Sequence, residues 1–364
     1  MSFRYIKVKT KGQIEGEKLL VPKLRFKEFK DEWKEISLVN VFTFYNTNSL
    51  SRADLSEEGL IKNIHYGDIH QKFNNILDVN KEKLPYIKSD IKIKVNIHNE
   101  ENYCQDGDLI LADASEDYDG IGKAVEVINV GNNKIVSGLH TILARDTNKV
   151  MSLGFKGYLF NTPLIHNQIR VLANGFKVYG ISKNNIYDLD VRIPTKTEQE
   201  KITNLLILLD KKIELQQRRI EALKIYKKGL LHNLKSNSQN WTEYKVKNLF
   251  DITRGQVIPK TNLKDSPTDN YIYPVYSSQT SNYGILGYDN TYDFDGKFLT
   301  WTTDGANAGK VFYRNGKFRC TNVCGLLHSN KNNDYINLLT ADLLNYETPK
   351  YVSYVGNPKL MNNV

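Results

Sequence analysis

Residues 33–42 read WKEISLVNVF, and residues 241–250 read WTEYKVKNLF. The two stretches align without a gap. A tryptophan opens each, a glutamate stands third, and an asparagine and a phenylalanine stand eighth and tenth. A chain that repeats its opening after about 200 residues indicates an internal duplication, with one structural unit behind each copy.

The length and composition agree with two folded units. At 364 residues the chain exceeds one ordinary core, so two domains of about 150 residues each are expected. Hydrophobic residues make up 40% and charged residues 25% of the chain, which is typical of a globular protein and excludes a mainly disordered one.

The charge is basic, with 50 Lys and Arg against 41 Asp and Glu, a formal net charge of +9 and a pI near 9.1. A basic surplus favours a polyanionic partner, because each Lys or Arg that neutralises a phosphate releases condensed counterions. The charge is compatible with nucleic acid and does not by itself select it.

Cysteine usage and hydropathy point to the cytoplasm. The cysteines, Cys104, Cys320 and Cys324, are too few for a disulfide framework and indicate a reducing compartment. No stretch has signal-peptide character, and none approaches the roughly 18 apolar residues of a membrane span. We therefore expect a cytoplasmic protein without a membrane partner.

The chain divides into segments of different character. Residues 1–21 are polar and basic and are predicted to be a flexible leader. Residues 22–193 and 236–364 are rich in short Ile, Val, Phe and Tyr runs broken by Gly, Asn and Asp, which is typical of short strands joined by turns. The predicted fold class is α+β, with two similar β-rich domains separated by a long coiled-coil-type helix over residues 194–235.

The predicted helix opens at Pro194, with overlapping capping boxes that pair Thr195 with Glu198 and Thr197 with Glu200. Positions in alternating steps of four and three, as in a coiled-coil seam, then carry apolar residues at Ile202, Leu206, Leu209, Ile213, Ile220, Leu223 and Leu230. Gln216 and Lys227 fill the two remaining places. Forty residues of helix span about 60 Å. The alternative is a long helix buried within one lobe, because Leu205 and Leu208 widen the apolar face.

The repeat continues beyond its opening. Residues 107–127 and 296–314 share the order of a glycine, an apolar strand, a polar Asp/Gly loop, a Gly-Lys pair and a second strand. Residues 174–180 and 355–361 occupy matching places further on. A common frame whose loops differ is what two readers of different ligands require.

Several strings together resemble the specificity subunit of type I restriction-modification systems. They are PKLRFKEFKDEW before the first repeat, IPTKTEQEKI at the helix start, and YPVYSSQTSNYGILGY, TWTTDGANAGKVFYRNGKF, CTNVCGLL and GNPKLMNNV in the second repeat. The resemblance extends from about residue 22 to the end of the sequence.

The resemblance implies a non-catalytic subunit with two target recognition domains, each reading one half of a split, asymmetric sequence in double-stranded DNA. Helical spacers in the family fix the gap between the half-sites and dock two modification subunits, which methylate adenine. Restriction and translocase subunits then join. No cofactor is expected in this chain, because S-adenosylmethionine, ATP and Mg belong to the partner subunits.

The chain departs from the family pattern after the second repeat. In the family a second long helix follows and packs antiparallel on the first, whereas this sequence stops at NPKLMNNV. We expect either a shortened form or fragment, or a central helix that pairs with a second copy of the chain.

Candidate DNA-binding residues are those with paired donors and acceptors, or positive charge, in predicted loops and helix ends. In the first domain they are Lys62, Asn63, His65, Tyr66, Asp68, Gln71, Lys72 and Lys123. In the second they are Tyr276, Ser277, Ser278, Gln279, Asn282, Thr302, Asp304, Asn307, Lys310 and Lys359. For each of them the alternative is a solvated turn or a strand-end cap. The apolar seam of the helix supplies the candidate subunit-docking residues.

Catalytic and metal motifs do not fit. GANAGKV, residues 305–311, has one residue too few for a phosphate-binding loop and lacks the Ser or Thr after the lysine. Cys320, Cys324 and His328 lack a fourth zinc ligand. The Asn-Pro of GNPKL lacks the second proline and the aromatic residue of amino-methyltransferases. Two alternatives remain open: a self-contained DNA methyltransferase or nuclease with a duplicated specificity module, and a coiled-coil scaffold that binds proteins.

Overall fold

The structure is a computed structural model, and it describes residues 22, 24–91, 99–175, 177–237, 239, 241–329 and 333–361. The predicted leader, residues 1–21, lies outside these ranges. The chain divides into two compact units, one ending at Leu215 and the other beginning at Gln216. The division falls inside a long helix.

The first unit is built of short strands and α-helices of five to ten residues, as its turn-rich sequence predicts. Its strands are β1 (Lys34–Ile36), β2 (Phe42–Tyr45), β3 (Leu55–Ser56), β4 (Lys62–Ile64), β5 (Ile76–Asp78), β6 (Tyr86–Ile87), β7 (Leu109–Ala112), β8 (Ala114–Ser115), β9 (Ala124–Ile128), β10 (Ile135–Ser137), β11 (Thr141–Asp146), β12 (Tyr179–Gly180) and β13 (Val191–Ile193). Its helices are α1 (Tyr66–Gln71), α2 (Phe155–Phe160), α3 (Pro163–Leu172) and α4 (Lys183–Tyr187).

The main sheet of the first unit has the strand order β2-β11-β7-β9-β5. Side chains alternate across it: Leu109 and Leu111 join one buried cluster with α2 and α3, and Ile110 and Ala112 join a second cluster on the other face. Because both faces are covered, β7 is apolar throughout rather than alternating. A second sheet, with the order β10-β4-β6-β3, contributes Ile64 to the second cluster.

The long helix, α5 (Lys196–Ser236, 41 residues), confirms the predicted helix between two β-rich domains. It begins two residues after Pro194. The sequence predicted that the Glu198 carboxylate pairs with Thr195 in a capping box. In the structure this carboxylate accepts hydrogen bonds from Arg25 Nε and Nη2, both at 2.7 Å. Tertiary contact therefore anchors this helix start.

The apolar seam of α5 is largely exposed. Ile202 and Leu206 are half-buried, and Ile202 packs against a core cluster of the first unit. The other predicted seam residues are 46–56% exposed: Leu209, Ile213, Ile220, Leu223 and Leu230. The alternative of a helix buried within one lobe is therefore wrong for its central turns.

The second unit repeats the first in smaller form. Its strands are β14 (Asp251–Arg254), β15 (Tyr273–Tyr276), β16 (Ile285–Asp289), β17 (Lys297–Thr302), β18 (Val311–Asn315), β19 (Arg319–Cys320) and β20 (Cys324–His328). Its helices are α6 (Val246–Leu249) and α7 (Leu338–Glu347). The main sheet has the order β14-β20-β17-β18, and the smaller sheet has the order β16-β15-β19.

Four strands of the two main sheets are equivalent: β2 matches β14, β11 matches β20, β7 matches β17 and β9 matches β18. The first sheet has β5 as a fifth strand at its edge. The smaller sheets also match, since β10 runs parallel to β4 and β19 runs parallel to β15. Phe42 and Phe250, the last residues of the repeated opening, are both buried where the first strand of each main sheet begins. The predicted duplication is confirmed in topology.

The shared Gly-Lys pair has the same backbone geometry in both units. Gly122 donates to the Ala112 carbonyl at 3.1 Å with φ +70°, and Gly309 donates to the Thr302 carbonyl at 2.8 Å with φ +84°. A left-handed residue is needed here to reverse the chain between the two strands, which explains why glycine stands in both copies.

A small hairpin follows in each unit, and its register corrects the sequence alignment. Asn174 and Gly180 exchange two backbone hydrogen bonds, and so do Ser353 and Lys359. The equivalent of residues 174–180 is therefore 353–359, two residues earlier than the aligned 355–361.

Candidate nucleic-acid interface

Three segments converge at the same place in each unit: the residues after β4 or β15, the loop between β7 and β9 or between β17 and β18, and the small hairpin. In the first unit the hairpin strand β12 pairs with β8 in the loop. In the second unit the matching bridge joins Asp304 to Lys359. The sequence identified each segment, and the sheets bring them together.

Helix α1 of the first unit carries most of the candidates and is fixed by polar contacts. His65 caps the helix, since its Nδ1 accepts from the Gly67 amide at 3.1 Å. Asp68 is 1% exposed and accepts from both terminal nitrogens of Arg52 at 2.9 Å. Burial acts to raise the pKa of Asp68, and hydrogen bonds from Arg52 and Lys72 outweigh it, so the pKa is lowered.

Aromatic and imidazole rings form a cluster at the surface beside α1. The Tyr66 ring lies 4.7 Å from the His65 ring and 5.4 Å from the His140 ring. His140 has φ +55° and lies with Nδ1 3.3 Å from a carboxylate oxygen of Asp113. Burial, and then the charge of Arg52, lowers the pKa of His65. The cluster combines stacking surface with hydrogen-bonding groups.

The remaining candidates of the first unit differ widely in access. Gln71 and Lys72 are exposed, and the half-buried Lys62 Nζ lies 5.8 Å from the Tyr86 ring centroid. Asn63 is fully buried: its Oδ1 accepts from Asn48 at 2.7 Å, and its Nδ2 has no hydrogen-bond partner among the described residues.

Lys123 belongs to the same surface. Its Nζ donates to the His70 carbonyl, at the end of α1, at 3.1 Å. Burial lowers the pKa of Lys123. The lysine therefore links the loop between β7 and β9 to α1.

In the second unit the predicted segments are joined by side chains. Ser278 donates to Asp304 at 2.7 Å, and Asn307 donates to the Thr280 hydroxyl at 3.1 Å. Asn282, Asn307, Lys310 and Lys359 are exposed on the resulting surface.

Other candidates of the second unit hold the loops in shape. Thr302 is 1% exposed, and its hydroxyl donates to the Asn307 carbonyl. The Ser277 amide donates to the Gly284 carbonyl at 3.0 Å, and the Gln279 side chain donates to the Ile285 carbonyl. Tyr276 packs inward, on Arg314.

The structure adds residues that sequence reasoning missed. Tyr283 is 79% exposed with φ +53°, next to Asn282 with φ +47°. Left-handed backbone at two consecutive non-glycine residues is strained and is concentrated at functional sites. Arg52 and His140 were missed because they reach α1 from distant parts of the sequence, and no local pattern marks them.

The cysteines of the second unit lie in the core beneath this surface. Cys320 and Cys324 are buried with sulfur atoms 3.1 Å apart, and burial raises the pKa of Cys320. Ser137 and Thr141 take the equivalent places in the first unit, with hydroxyl oxygens 2.7 Å apart. Within the described ranges, no cluster of three or more His, Cys, Asp or Glu side chains is arranged to hold a metal ion.

Among the residues that the structure places, no helix combines the length and apolar character needed to cross a membrane.

Two units with one sheet order and different loops define the class of protein: a duplicated β-rich module. Comparison with known proteins identifies the family. The family described as "Type I restriction modification DNA specificity domain" matches residues 238–361. A putative type I specificity subunit of Mycoplasma pneumoniae is 33% identical over 198 residues, which cover 52% of this chain and 72% of that protein.

Two further similarities agree. Another Mycoplasma pneumoniae protein, described as the N-terminus of a putative type I specificity subunit, is 49% identical over 119 residues, 32% of this chain. The match covers 62% of that relative, less than two thirds of its length. The crystal structure of a type I restriction-modification S subunit from M. genitalium shares the fold, with a TM-score of 0.57, 13% identity and coverage of 91% of this chain and 82% of that one. The chain belongs to the type I specificity subunit family.

Proposed function

We propose that this chain is a non-catalytic, sequence-specific DNA-binding subunit of a type I restriction-modification complex, and that each unit reads one half of a bipartite, asymmetric target. The observation that carries the proposal is the pair of equivalent sheets, whose converging loops carry different side chains. A shared frame gives both units the same way of approaching a duplex, and different loops give each its own sequence.

The surface chemistry supports duplex DNA as the ligand. Lys72 in the first unit, and Lys310 and Lys359 in the second, are exposed beside groups that can form hydrogen bonds with base edges. Phosphate contacts by such lysines set register and orientation, and the neighbouring amides, hydroxyls and imidazoles select bases.

The exposed seam of α5 supports protein docking. Isoleucine and leucine side chains that are about half exposed over several helical turns, among them Ile213, Ile220 and Leu223, leave an apolar stripe in water. We propose that modification subunits dock on this stripe, with a second copy of the chain as the alternative partner. In this proposal S-adenosylmethionine, ATP and Mg act in the partner subunits, and restriction subunits join the assembly.

Methylation mapping tests the proposal most directly. The chain is expressed with its modification subunit in a host that lacks other adenine methylation, and methylated adenines are mapped across the genome. We expect methylation at a split, asymmetric sequence, with none when either protein is omitted. Methylation by the chain without its partner would support an enzyme instead, and partner binding without DNA binding would support a scaffold.

A further inference from the structure

Arg314 is a buried cation without a carboxylate partner, directly beneath a candidate recognition loop of the second unit. The residue is 7% exposed. Its Nε donates to the Thr300 hydroxyl at 3.1 Å, and its guanidinium carbon lies 3.6 Å from the Tyr276 ring centroid and 4.5 Å from the Phe312 ring centroid. Among the described residues, no aspartate or glutamate forms an ion pair with it.

Among the described residues, the other buried lysine and arginine side chains are paired. Arg145, 9% exposed, contacts the Asp108 carboxylate with Nε and Nη2, both at 2.8 Å. Lys156, 2% exposed, lies 2.9 Å from Glu126. A buried charge without an opposite charge is strongly unfavourable, so the two pairs are what folding requires and Arg314 is the exception. Burial lowers the pKa of Arg314, in keeping with that cost.

The first unit shows that the frame does not need an arginine at this position. Leu111 pairs with Ala124 and Trp301 pairs with Val311 at the matching ends of the two hairpins. Three residues further along each strand, the first unit has Val127, fully buried, and the second has Arg314.

The neighbours of Arg314 are exchanged in the same way. Tyr276 accepts a backbone hydrogen bond from Thr321 just as Ile64 accepts one from Gly138, so these two are equivalent. Thr300 matches Ile110 by the strand register. An apolar trio in one unit, Ile64, Ile110 and Val127, is therefore a polar trio in the other, Tyr276, Thr300 and Arg314.

The polar trio lies under the loop of residues 277–284. A Cβ built on Gly284 would lie 2.9 Å from Arg314 Nη2, which puts the guanidinium against the loop backbone. The loop has no acidic residue, and Asp304 on the adjoining loop accepts from Ser278. Three consecutive loop residues, Asn282, Tyr283 and Gly284, have positive φ. Strain in the loop and an unmatched charge beneath it coincide.

We propose that Arg314 is the buried part of a phosphate site in the second unit, with its charge neutralised by a DNA backbone phosphate bound on the outer side of the 277–284 loop. The inference rests on the proposed DNA-binding function. In a medium of low dielectric constant the attraction acts over the thickness of the loop, because water does not screen it there. Tyr276 and Thr300 hold the guanidinium in place.

The test measures DNA affinity and stability together. Arg314→Met keeps much of the side-chain volume and removes the charge. We expect the melting temperature to stay the same or rise, because the unpaired buried charge is gone. We expect the variant to bind DNA more weakly than the wild type. When the salt concentration rises fourfold, the affinity of the wild type should fall by a factor about three times larger than that of the variant, because the variant neutralises one phosphate fewer. The loss is equal on target and scrambled duplexes.

Two further variants complete the design. Lys297→Met removes an exposed charge at the first residue of β17, at the other end of the strand from the candidate loop, so its salt dependence is expected to match the wild type. If Arg314→Met does not fold, the combination of Tyr276→Ile, Thr300→Ile and Arg314→Val gives the second unit the apolar trio of the first and removes the charge with its polar partners. The full chain with its modification subunit is used throughout, and short duplexes with and without the mapped target are the probes.

The outcomes separate this inference from the proposed function. If the wild type shows no salt-dependent binding to duplex DNA, the proposed function is wrong. If the wild type binds and a folded charge-removing variant has the same affinity and salt dependence, the phosphate site is wrong and the function stands. A loss limited to the target duplex, with unchanged salt dependence, also contradicts a phosphate contact.

Discussion

Lys123 and Lys310 occupy equivalent positions in the two units, and their ammonium groups lie in different surroundings. The Lys123 carbonyl accepts a hydrogen bond from the Ala112 amide at 2.9 Å, and the Lys310 carbonyl accepts one from the Thr302 amide at 3.0 Å. Ala112 and Thr302 are the last residues of the preceding strands, β7 and β17. Lys123 is half-buried and donates to His70, whereas Lys310 is exposed. The frame fixes the backbone of both lysines, and the surrounding loops decide what each side chain contacts.

This difference predicts different consequences of removing each lysine. Lys310→Ala is expected to reduce the slope of log affinity against log salt by about 0.9, because one phosphate contact is lost. Its free energy of unfolding stays within about 0.5 kcal/mol of wild type. Lys123→Ala, the matched variant, loses the contact with α1 and is expected to lose about 1 kcal/mol of stability. Fluorescence anisotropy over a salt series and urea unfolding measure both quantities. Equal stability losses would contradict the assignment.

We predict that replacing Gly122 or Gly309 with alanine lowers stability, and that the loss is larger at Gly122. Both have positive φ, which costs an L-residue about 1–3 kcal/mol. The new methyl group would lie 2.5 Å from Ile169 Cγ2 in Gly122→Ala, but 3.1 Å from Val352 Cγ2 in Gly309→Ala. Because Ile169 is a buried core residue, displacing it adds about 1–3 kcal/mol to the first substitution. Urea unfolding should therefore rank Gly122→Ala as the more damaging, and the reverse order would disprove the packing argument.

We predict that the first unit loses stability in mild acid, because His65 becomes protonated there. Its Nδ1 accepts from Gly67, so protonation breaks the cap of α1. Since the pKa of His65 is lowered in the fold, the unfolded chain binds the proton first as the pH falls below about 6.5, and folding stability decreases until the folded pKa is passed.

The control for this prediction is His65→Asn, which keeps a capping side chain and does not titrate. Urea unfolding at pH 7 and pH 5 should show a larger loss for the wild type than for this variant. Identical losses would mean that other groups carry the acid sensitivity.

The exposed seam of α5 predicts a loss of association without a loss of folding. Ile220 and Leu223 are 52% and 56% exposed. Replacing both with glutamine should change the free energy of unfolding by less than about 1 kcal/mol, since surface changes are individually small. Co-purification of the modification subunit should be lost, because the apolar stripe is interrupted. Glu221→Gln, on the same turn but away from the seam, is the control and should retain the partner.

Local patterns predicted the elements of this protein well. The repeated opening, the Gly-Lys pair and the four-three spacing after Pro194 each depend on residues close in sequence, and each corresponds to the expected feature of the fold. The loop segments that carry the candidate DNA-binding residues were likewise located, because turn-forming residues interrupt apolar runs there.

The tertiary structure decides which side chains in those segments are accessible to solvent. Asn63, Asp68 and Thr302 look like solvent-facing polar residues in the sequence, and the packing of distant strands buries them.

The sequence by itself determined that the protein is a duplicated β-rich unit with a long helix between the copies, because periodicity and turn chemistry are properties of neighbouring residues. Only the tertiary structure decided that Arg25 anchors the helix start, that Arg52 and His140 reach α1, and that Arg314 takes the place of Val127. The physical reason is that burial and charge pairing depend on which distant segments meet, and the strand order rather than the local sequence sets those meetings.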